Sequence, residues 1–254
     1  MFKRMMTTIG FGLTLAAANL AAAQTHCVDF DDRPVNTFPC CGVTFNSRGV
    51  DMTTGQFQWS GGGWTAGGAA SIVNSAVVPG GSPPHELNCN NVNVRFDMAD
   101  FSARLGGRPV GRLEVQYADL GGNVNIRVNG VFNNVNNLTD IPNGSLMAGV
   151  RYFRSPNTIL LVADPDPIGD FAIGGQEFFI DDVCATALRY PLGDMNCDGE
   201  VNNFDIDPFV LALTNSAAYA AAYPDCDPLN GDVNGDGVLN NFDIDPFVDL
   251  ITGG

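Results

Sequence analysis

Lysine is almost missing from this chain: the single one, Lys3, stands near the start. Its absence from everything after residue 3 removes lysine Schiff bases, lysine general bases and the phosphate-binding lysine of a P-loop from the available chemistry. Basic residues are scarce altogether, 12 against 28 acidic ones. Binding a nucleic-acid backbone takes clustered Lys and Arg, so no nucleic-acid partner is expected. Histidine is rarer still. His26 and His85 stand in no nucleophile motif and no zinc-ligand spacing, and each reads as a solvated or locally hydrogen-bonded side chain. Between residues 24 and 188 glutamate occurs only as Glu86, Glu114 and Glu177. Each lies in or beside a strand-like pattern where an outward charge needs no special role, no spacing singles out an acid pair for glycoside hydrolysis, and no catalytic residue is assigned.

Long apolar runs are also lacking. Residues 9–20 are apolar but too short and too rich in Ala and Gly to span about 30 Å of hydrocarbon comfortably. Preceded by Lys3 and Arg4 and followed by Ala21, Ala22 and Ala23 before Gln24, the segment reads as a secretory signal peptide over residues 1–23. Its removal takes two of the 12 basic residues and none of the acidic ones, so an exported, extracytoplasmic chain is more acidic still, with no membrane span. Gly253 and Gly254 carry no apolar tail, and any attachment to a surface is expected to be noncovalent. Seven cysteines in an exported protein imply disulfides, and the odd number leaves at least one thiol free or intermolecular. The neighbours Cys40 and Cys41 are not expected to bridge to each other. Cys27 with Cys184 is the preferred pair, because the first and last strands of a sandwich often lie side by side, and Cys197 with Cys226 is a second candidate.

What is present between residues 24 and 185 is a period of two. Val92, Val94, Phe96 and Met98 alternate with polar residues, as do Leu113, Val115 and Tyr117, and Val124, Ile126 and Val128. The pattern predicts strands with one buried and one wet face. Apolar stretches over residues 158–163 and 177–183 look like further strands, and Gly121-Gly122, Asn129-Gly130, Asn143-Gly144 and Gly174-Gly175 are predicted turns. About ten short strands of this kind fit two antiparallel sheets packed face to face, a jelly-roll-like β-sandwich, with a closed barrel as the alternative. Trp59 and Trp64 lie in a Gly-rich stretch. Core packing is the favoured reading for both, given the usual burial of Trp, and a flat platform for a sugar ring is the other.

The last quarter carries an oxygen-rich loop of twelve residues twice, each copy running into Asn-Asn-Phe-Asp-Ile-Asp-Pro-Phe-Val. Asp194, Asn196, Asp198, Gly199 and Asp205 occupy loop positions 1, 3, 5, 6 and 12 of the first copy, and Asp232, Asn234, Asp236, Gly237 and Asp243 those of the second. A calcium ion takes six to eight oxygens, so short carboxylate and amide arms must alternate around a glycine turn. The carbonyls of Glu200 and Val238 fall at position 7, and Asn202 and Asn240 at position 9 are placed to hold a water on the metal. Residues 193–254 hold eleven Asp and one Glu and no Lys or Arg, so calcium, two ions in all, is expected to be coupled to folding. Tyr190-Pro191-Leu192-Gly193 and Pro228-Leu229-Asn230-Gly231 cannot continue a helix into either loop, so each unit is a loop followed by a helix. Asp207 and Asp245 are candidate caps. Phe204, Ile206, Phe209, Val210 and Leu213 are expected to face their counterparts Phe242, Ile244, Phe247, Val248 and Ile251. A further helix is predicted over residues 216–223, stopped by Pro224.

This duplicated half EF-hand resembles the type I dockerin module over about residues 193–254, after a sandwich over 24–185 and a linker over 186–192. The resemblance implies a small all-α domain whose partner is a cohesin-like or other docking protein. It places the docking surface at Asn203 and Phe204, at Asn241 and Phe242, and at the early helix residues Val210, Leu211, Val248 and Asp249. Small hydroxyl and basic residues are common at those positions in the family and absent here, which leaves a partner other than a standard cohesin open. The runs Val28-Asp29-Phe30-Asp31-Asp32, Gly42-Val43-Thr44-Phe45 and Gln176-Glu177-Phe178-Phe179-Ile180-Asp181-Asp182-Val183 resemble exported jelly-roll domains, some similar to carbohydrate-binding modules. Such a likeness implies a glycan, a polysaccharide among them, as a ligand, and a structural calcium joining the first and last strands through Asp29, Asp31, Asp181 or Asp182. Ordinary surface acids at strand ends are the favoured reading of those four. Two functions follow: a noncatalytic glycan- or protein-binding module docked through its tail, or a polysaccharide-degrading enzyme carried by the same tail.

Overall fold

The alternation of apolar and polar residues is realised as strands. The computed structural model describes residues 24–224 and 226–253, so the signal peptide expected over 1–23 lies outside the described residues. In chain order the strands are β1 (Thr25–Val28), β2 (Asn36–Pro39), β3 (Thr44–Ser47), β4 (Val50–Gly55), β5 (Phe57–Gln58), β6 (Trp64–Thr65), β7 (Ala69–Asn74), β8 (His85–Asn90) and β9 (Val92–Phe96). They continue with β10 (Val110–Asp119), β11 (Val124–Val128), β12 (Val131–Val135), β13 (Ser145–Met147), β14 (Val150–Arg154), β15 (Thr158–Ala163), β16 (Phe171–Gly175) and β17 (Phe178–Ala187). One helix, α1 (Met98–Arg104), interrupts them, and α2 (Ile206–Thr214), α3 (Ser216–Ala222) and α4 (Ile244–Thr252) follow. Among the described residues no helix is long and apolar enough to cross a membrane.

Two large sheets carry the fold. One runs β13-β14-β15-β10-β17-β8-β7-β2 with β1 added beside β17, and the other runs β12-β11-β16-β9-β4-β3. Their inward residues merge into one apolar core, in which Leu113, Ile159 and Ile180 of the first sheet meet Val94, Ile126 and Ile173 of the second. The protein is therefore mainly β, antiparallel and sandwich-like. Strand β17 is central because it pairs with β1, β10 and β8. Cys27 lies opposite Cys184 in the β1–β17 register, and the two form the expected disulfide with Cα atoms 4.0 Å apart. The two-residue turn Asn129-Gly130 between β11 and β12 has φ of 45° and 82°, the left-handed pair that suits the twist of a hairpin.

Several expectations are corrected. The alternation ends at Phe96 rather than Met98: the Asp97 carboxylate accepts the backbone N–H groups of Ala99 and Asp100, and Met98 begins α1 because its first turn is capped in this way. Gly174 and Gly175 are not a turn but lie in β16, paired with Asn93 and Val92 of β9. Cys40 and Cys41 are bridged to each other. Cys89 is left as the free cysteine, buried, and burial pushes its thiol up to about 12. Glu86 does not face outward: it is buried, and its carboxylate accepts the Ser75 hydroxyl and the N–H groups of Val77 and Val78. Strand β17 continues to Ala187, taking the first two residues of the expected linker into the sheet.

The four acids at the seam of β1 and β17 behave differently from one another. Asp29 pairs with Arg48 at 2.7 Å, Asp31 accepts the His85 N–H at 2.8 Å, and Asp182 accepts the Ser82 hydroxyl at 2.9 Å. Asp181 is buried, contrary to a surface position. Burial lifts its carboxyl to about 8, with the charges of Asp182, Asp31 and Glu86 adding to the effect and the N–H of Asp182 opposing it. His85 Nδ1 stands 4.0 Å from Asp31. A carboxyl whose folded pKa lies above its unfolded value holds its proton better in the folded chain. Its contribution is therefore full at low pH and is lost as pH rises from about 4 toward 8, by at most about 1.4 kcal/mol per pH unit. Asp181→Asn removes this titration. Thermal denaturation of both proteins at pH 5 and pH 8 is expected to show the variant gaining on the parent as pH rises, and a constant gap would contradict the burial argument.

Candidate functional site

The two Asp-rich loops fold alike. In the first, Asp194 Oδ2 accepts the Gly199 N–H at 2.9 Å, Asn196 Oδ1 accepts that of Asp198 at 2.9 Å, and Asp198 Oδ1 accepts that of Glu200 at 2.9 Å. In the second, Asp232 Oδ2 accepts the Gly237 N–H at 2.8 Å, Asn234 Oδ1 that of Asp236 at 2.8 Å, and Asp236 Oδ1 that of Val238 at 3.0 Å. Gly199 and Gly237 have φ of 93° and 89°, a backbone conformation that favours glycine. At position 12, Asp205 Oδ1 accepts the N–H groups of Met195 and Asn196 and its Oδ2 that of Asn202. Asp243 accepts from Asn234 and Asn240 in the same manner. Asn202 and Asn240 use their side-chain oxygens to cap the following turn, at Phe204 and Phe242, both at 2.8 Å. Those two asparagines and the position 12 aspartates form the caps, and Asp207 and Asp245 stand in the first helical turn without capping it.

One oxygen stands apart. Asp194 is fully buried, and its Oδ1 has no hydrogen-bond partner. Burial raises its pKa, with the nearby charges of Asp205 and Asp198 adding and the Gly199 and Cys197 backbone opposing. A buried carboxylate oxygen without a partner is costly, and residues 193–254 supply no Lys or Arg to offset it. The donor set fits a hard cation: carboxylates, an amide and a backbone carbonyl, all oxygen. Asp194, Asn196, Asp198 and Asp205 with the Glu200 carbonyl would hold an ion in the first loop, and Asp232, Asn234, Asp236 and Asp243 with the Val238 carbonyl in the second. Among the described residues no three His, Cys, Asp or Glu side chains already converge as a metal cluster, because each loop carboxylate is spread over backbone N–H groups.

Behind the loops sits a small core of Met195, Phe209, Ala212, Tyr219 and Phe247. Phe209 and Phe247, equivalent residues of α2 and α4, stack at 4.0 Å. Tyr219 of α3 donates its hydroxyl to the Met195 carbonyl at 2.9 Å, and Cys197 is bridged to Cys226 as expected. The expected facing stripes are split, however. Phe204 is 72% exposed and Phe242 77%, and Ile206, Val210, Ile244 and Val248 are also exposed. The turns over Asn203–Asp205 and Asn241–Asp243 are 3-10, not α, so the residues before each helix leave the helical stripe. Asn203 and Asn241 are exposed beside the two phenylalanines.

A second site lies on the outer face of the smaller sheet. Register places Phe132, Arg127, Ala172, Arg95 and Thr53 in one row across five strands, and Asn134, Asn125, Gly174, Asn93 and Gly55 in the next. Strand β16 contributes only Ala172 and Gly174 outward. A Cβ on Gly174 would come within 2.0 Å of the Val92 carbonyl oxygen, so the glycine is demanded by the close approach of β9. The result is a trough. The β5–β6 hairpin is pinned at its rim: Asn93 Nδ2 donates to the Gln56 carbonyl at 2.7 Å, Asn134 Nδ2 to that of Trp59 at 2.8 Å, and Asn125 exchanges two bonds with the Gln58 backbone. Trp64 on this hairpin is 52% exposed and lies 5.3 Å from Phe132. Trp59 is half-buried and packs edge-on against Phe57. Trp59 thus packs locally on Phe57 outside the main core, and Trp64 is not in core packing. The recess beside Trp64 has a volume of about 240 Å³ and is lined by Trp64 and Phe132 together with Asn93, Asn125, Arg95 and Arg127.

Sequence reasoning picked out Trp64 but missed Phe132, Arg95 and Arg127, which are far apart in the chain and meet only through strand register. No protein-family model matches this chain, and no curated protein does so either.

Proposed function

We propose that residues 193–254 form a dockerin-like module folded by calcium, one ion in each loop, and that the module docks an exported, noncatalytic protein onto a partner. The reading rests on Asp194 Oδ1, a buried carboxylate oxygen without a hydrogen-bond partner in a segment free of cationic side chains. Calcium supplies the missing positive charge, and the loop residues orient their oxygens for it through the N–H bonds given above. The exposed Phe204, Ile206 and Val210 and their duplicated counterparts Phe242, Ile244 and Val248 support a docking role, since exposed apolar patches mark interaction surfaces. The partner is of cohesin type or presents a comparable apolar surface. The sandwich, of jelly-roll type, presents the trough beside Trp64 to a glycan, with the exposed indole and Phe132 as the stacking surface. Among the residues lining the recess there is no carboxylate, so the alternative of glycoside hydrolysis has no acid pair to draw on there.

Calcium at a hundredfold excess over its Kd is expected to stabilise the fold of the tail by about 2.7 kcal/mol per site. Circular dichroism of the purified chain would show helicity and melting temperature rising with calcium, and Asp194→Ala with Asp232→Ala would abolish the rise. An unchanged response in the double variant would refute the ligand assignment.

An immobilised cohesin-type domain is expected to retain the chain only when calcium is present. Phe204→Ser with Phe242→Ser should weaken retention by about tenfold or more, the usual effect of losing central aromatic anchors, while leaving calcium-induced helicity intact. Retention insensitive to chelation would remove calcium-dependent docking from the function.

A further inference from the structure

We infer that the trough beside Trp64 selects a carboxylate-bearing sugar, a uronic acid unit of a polysaccharide, through Arg95 and Arg127. The inference rests on the glycan-binding reading of that face and adds the ligand's charge to it.

Charge carries the argument. The chain has 12 basic residues against 28 acidic ones, yet the lining of this one recess includes two arginines and, among the described residues, no acid. Arg95 and Arg127 flank Ala172, each directly opposite it in register, so the guanidiniums rise from strands two apart, about 10 Å between backbones, with a small side chain between them. Arg95 donates through Nε to Asp170 at 2.9 Å, and Arg127 Nε forms an ion pair with the same carboxylate at 2.6 Å. That shared acid neutralises about half of the pair's charge and fixes the inner nitrogen of each guanidinium. The side chains nevertheless remain 62% and 47% exposed.

A fixed, half-compensated arginine pair is suited to a single negative charge, and a guanidinium presents a planar fork that matches a carboxylate. The indole of Trp64 and the ring of Phe132 offer an apolar surface on the same recess, which suits the C–H face of a sugar ring. One charge per sugar, borne on a stackable ring, describes a uronate better than a densely sulfated chain, which would bring more negative charge than this pair offsets. The acidity of the remaining protein works against non-specific binding of any polyanion, so whatever polyanion binds has to bind at a local site.

The test uses the full exported chain and three probes: an oligogalacturonate too short to gel with calcium, a neutral galactan oligosaccharide, and dextran sulfate. Isothermal titration is expected to give the oligogalacturonate a Kd about tenfold or more below that of the neutral sugar, the scale of one charge-assisted contact. Arg95→Gln with Arg127→Gln should erase that preference, with a lower melting temperature because Asp170 loses both partners, and neutral-sugar binding measured on the same folded variant shows that the recess persists. Trp64→Ala should weaken both sugars. Equal binding of charged and neutral sugar by the parent, or a preference that survives the arginine substitutions, would overturn the selectivity and leave the glycan face standing. Dextran sulfate bound more tightly than the oligogalacturonate would overturn the carboxylate assignment. Indifference of all probes to Trp64→Ala would overturn the selectivity and the glycan reading together.

Discussion

The carboxylate at the twelfth position of each Asp-rich loop determines how the carboxyl-terminal segment is built. Asp205 gathers the backbone N–H groups of Met195, Asn196 and Asn202, and Asp243 gathers those of Asn234 and Asn240. Both are fully buried. By tying the start of a loop to its end, each aspartate sets the point at which a helix leaves, and the two helices then meet through Phe209 and Phe247. Backbone N–H groups satisfy such carboxylates well, but they carry only partial charge. Asp194, packed behind the first loop with one oxygen unpartnered, marks where that supply runs out. The second loop is less demanding, because Asp232 uses both oxygens, accepting from Asp236 and Gly237. The first loop therefore keeps the one unpartnered carboxylate oxygen of the pair.

In the sandwich the comparable constraint is close approach of strands rather than charge. Gly174 leaves β9 and β16 room to pair, and the same absence of a side chain lowers the floor of the trough on the outer face. Packing and binding surface thus share a cause. The rim depends on amides: Asn93, Asn123, Asn125 and Asn134 all bond the β5–β6 hairpin, which holds Trp64 over the sheet without burying it. A purely apolar contact there would have drawn the indole inward, as happens to Trp59 against Phe57.

The two loop-then-helix units were legible in the sequence because Asp, Asn and Gly at fixed positions set the same N–H-accepting turns in both copies. The strands were legible because a period of two survives in any sheet, whatever its neighbours, and the pairing of Cys27 with Cys184 followed from the order of strands alone. Gly174 and Gly175 misled because glycine serves both turns and tight strand contacts, and only the position of Val92 decides between them. Phe204 and Phe242 were assigned to the buried stripe because helical spacing was extended into a 3-10 turn, where it does not hold. Asp181 and Glu86 were taken as surface acids because local sequence carries no measure of burial. The row of Phe132, Arg127, Ala172, Arg95 and Thr53 comes from five strands scattered along the chain, and its order depends on register that no local pattern encodes.

The two ends of this protein solve one electrostatic problem in opposite ways. An acidic chain repels itself and any polyanion, and both effects weaken with salt. In the tail that repulsion meets no cationic side chain of its own, since residues 193–254 contain no Lys or Arg. The sandwich pairs its arginines locally, Arg48 with Asp29 and Arg151 with Asp164 among them, and in the recess beside Trp64 Arg95 and Arg127 share Asp170. Because the arginines are already partly neutralised, the recess adds little net charge to the fold and costs little when empty. The same partial neutralisation limits how much negative charge it accepts. On the proposed reading, a polyanion without a ring to stack on Trp64 meets chiefly the repulsion of the surrounding acids.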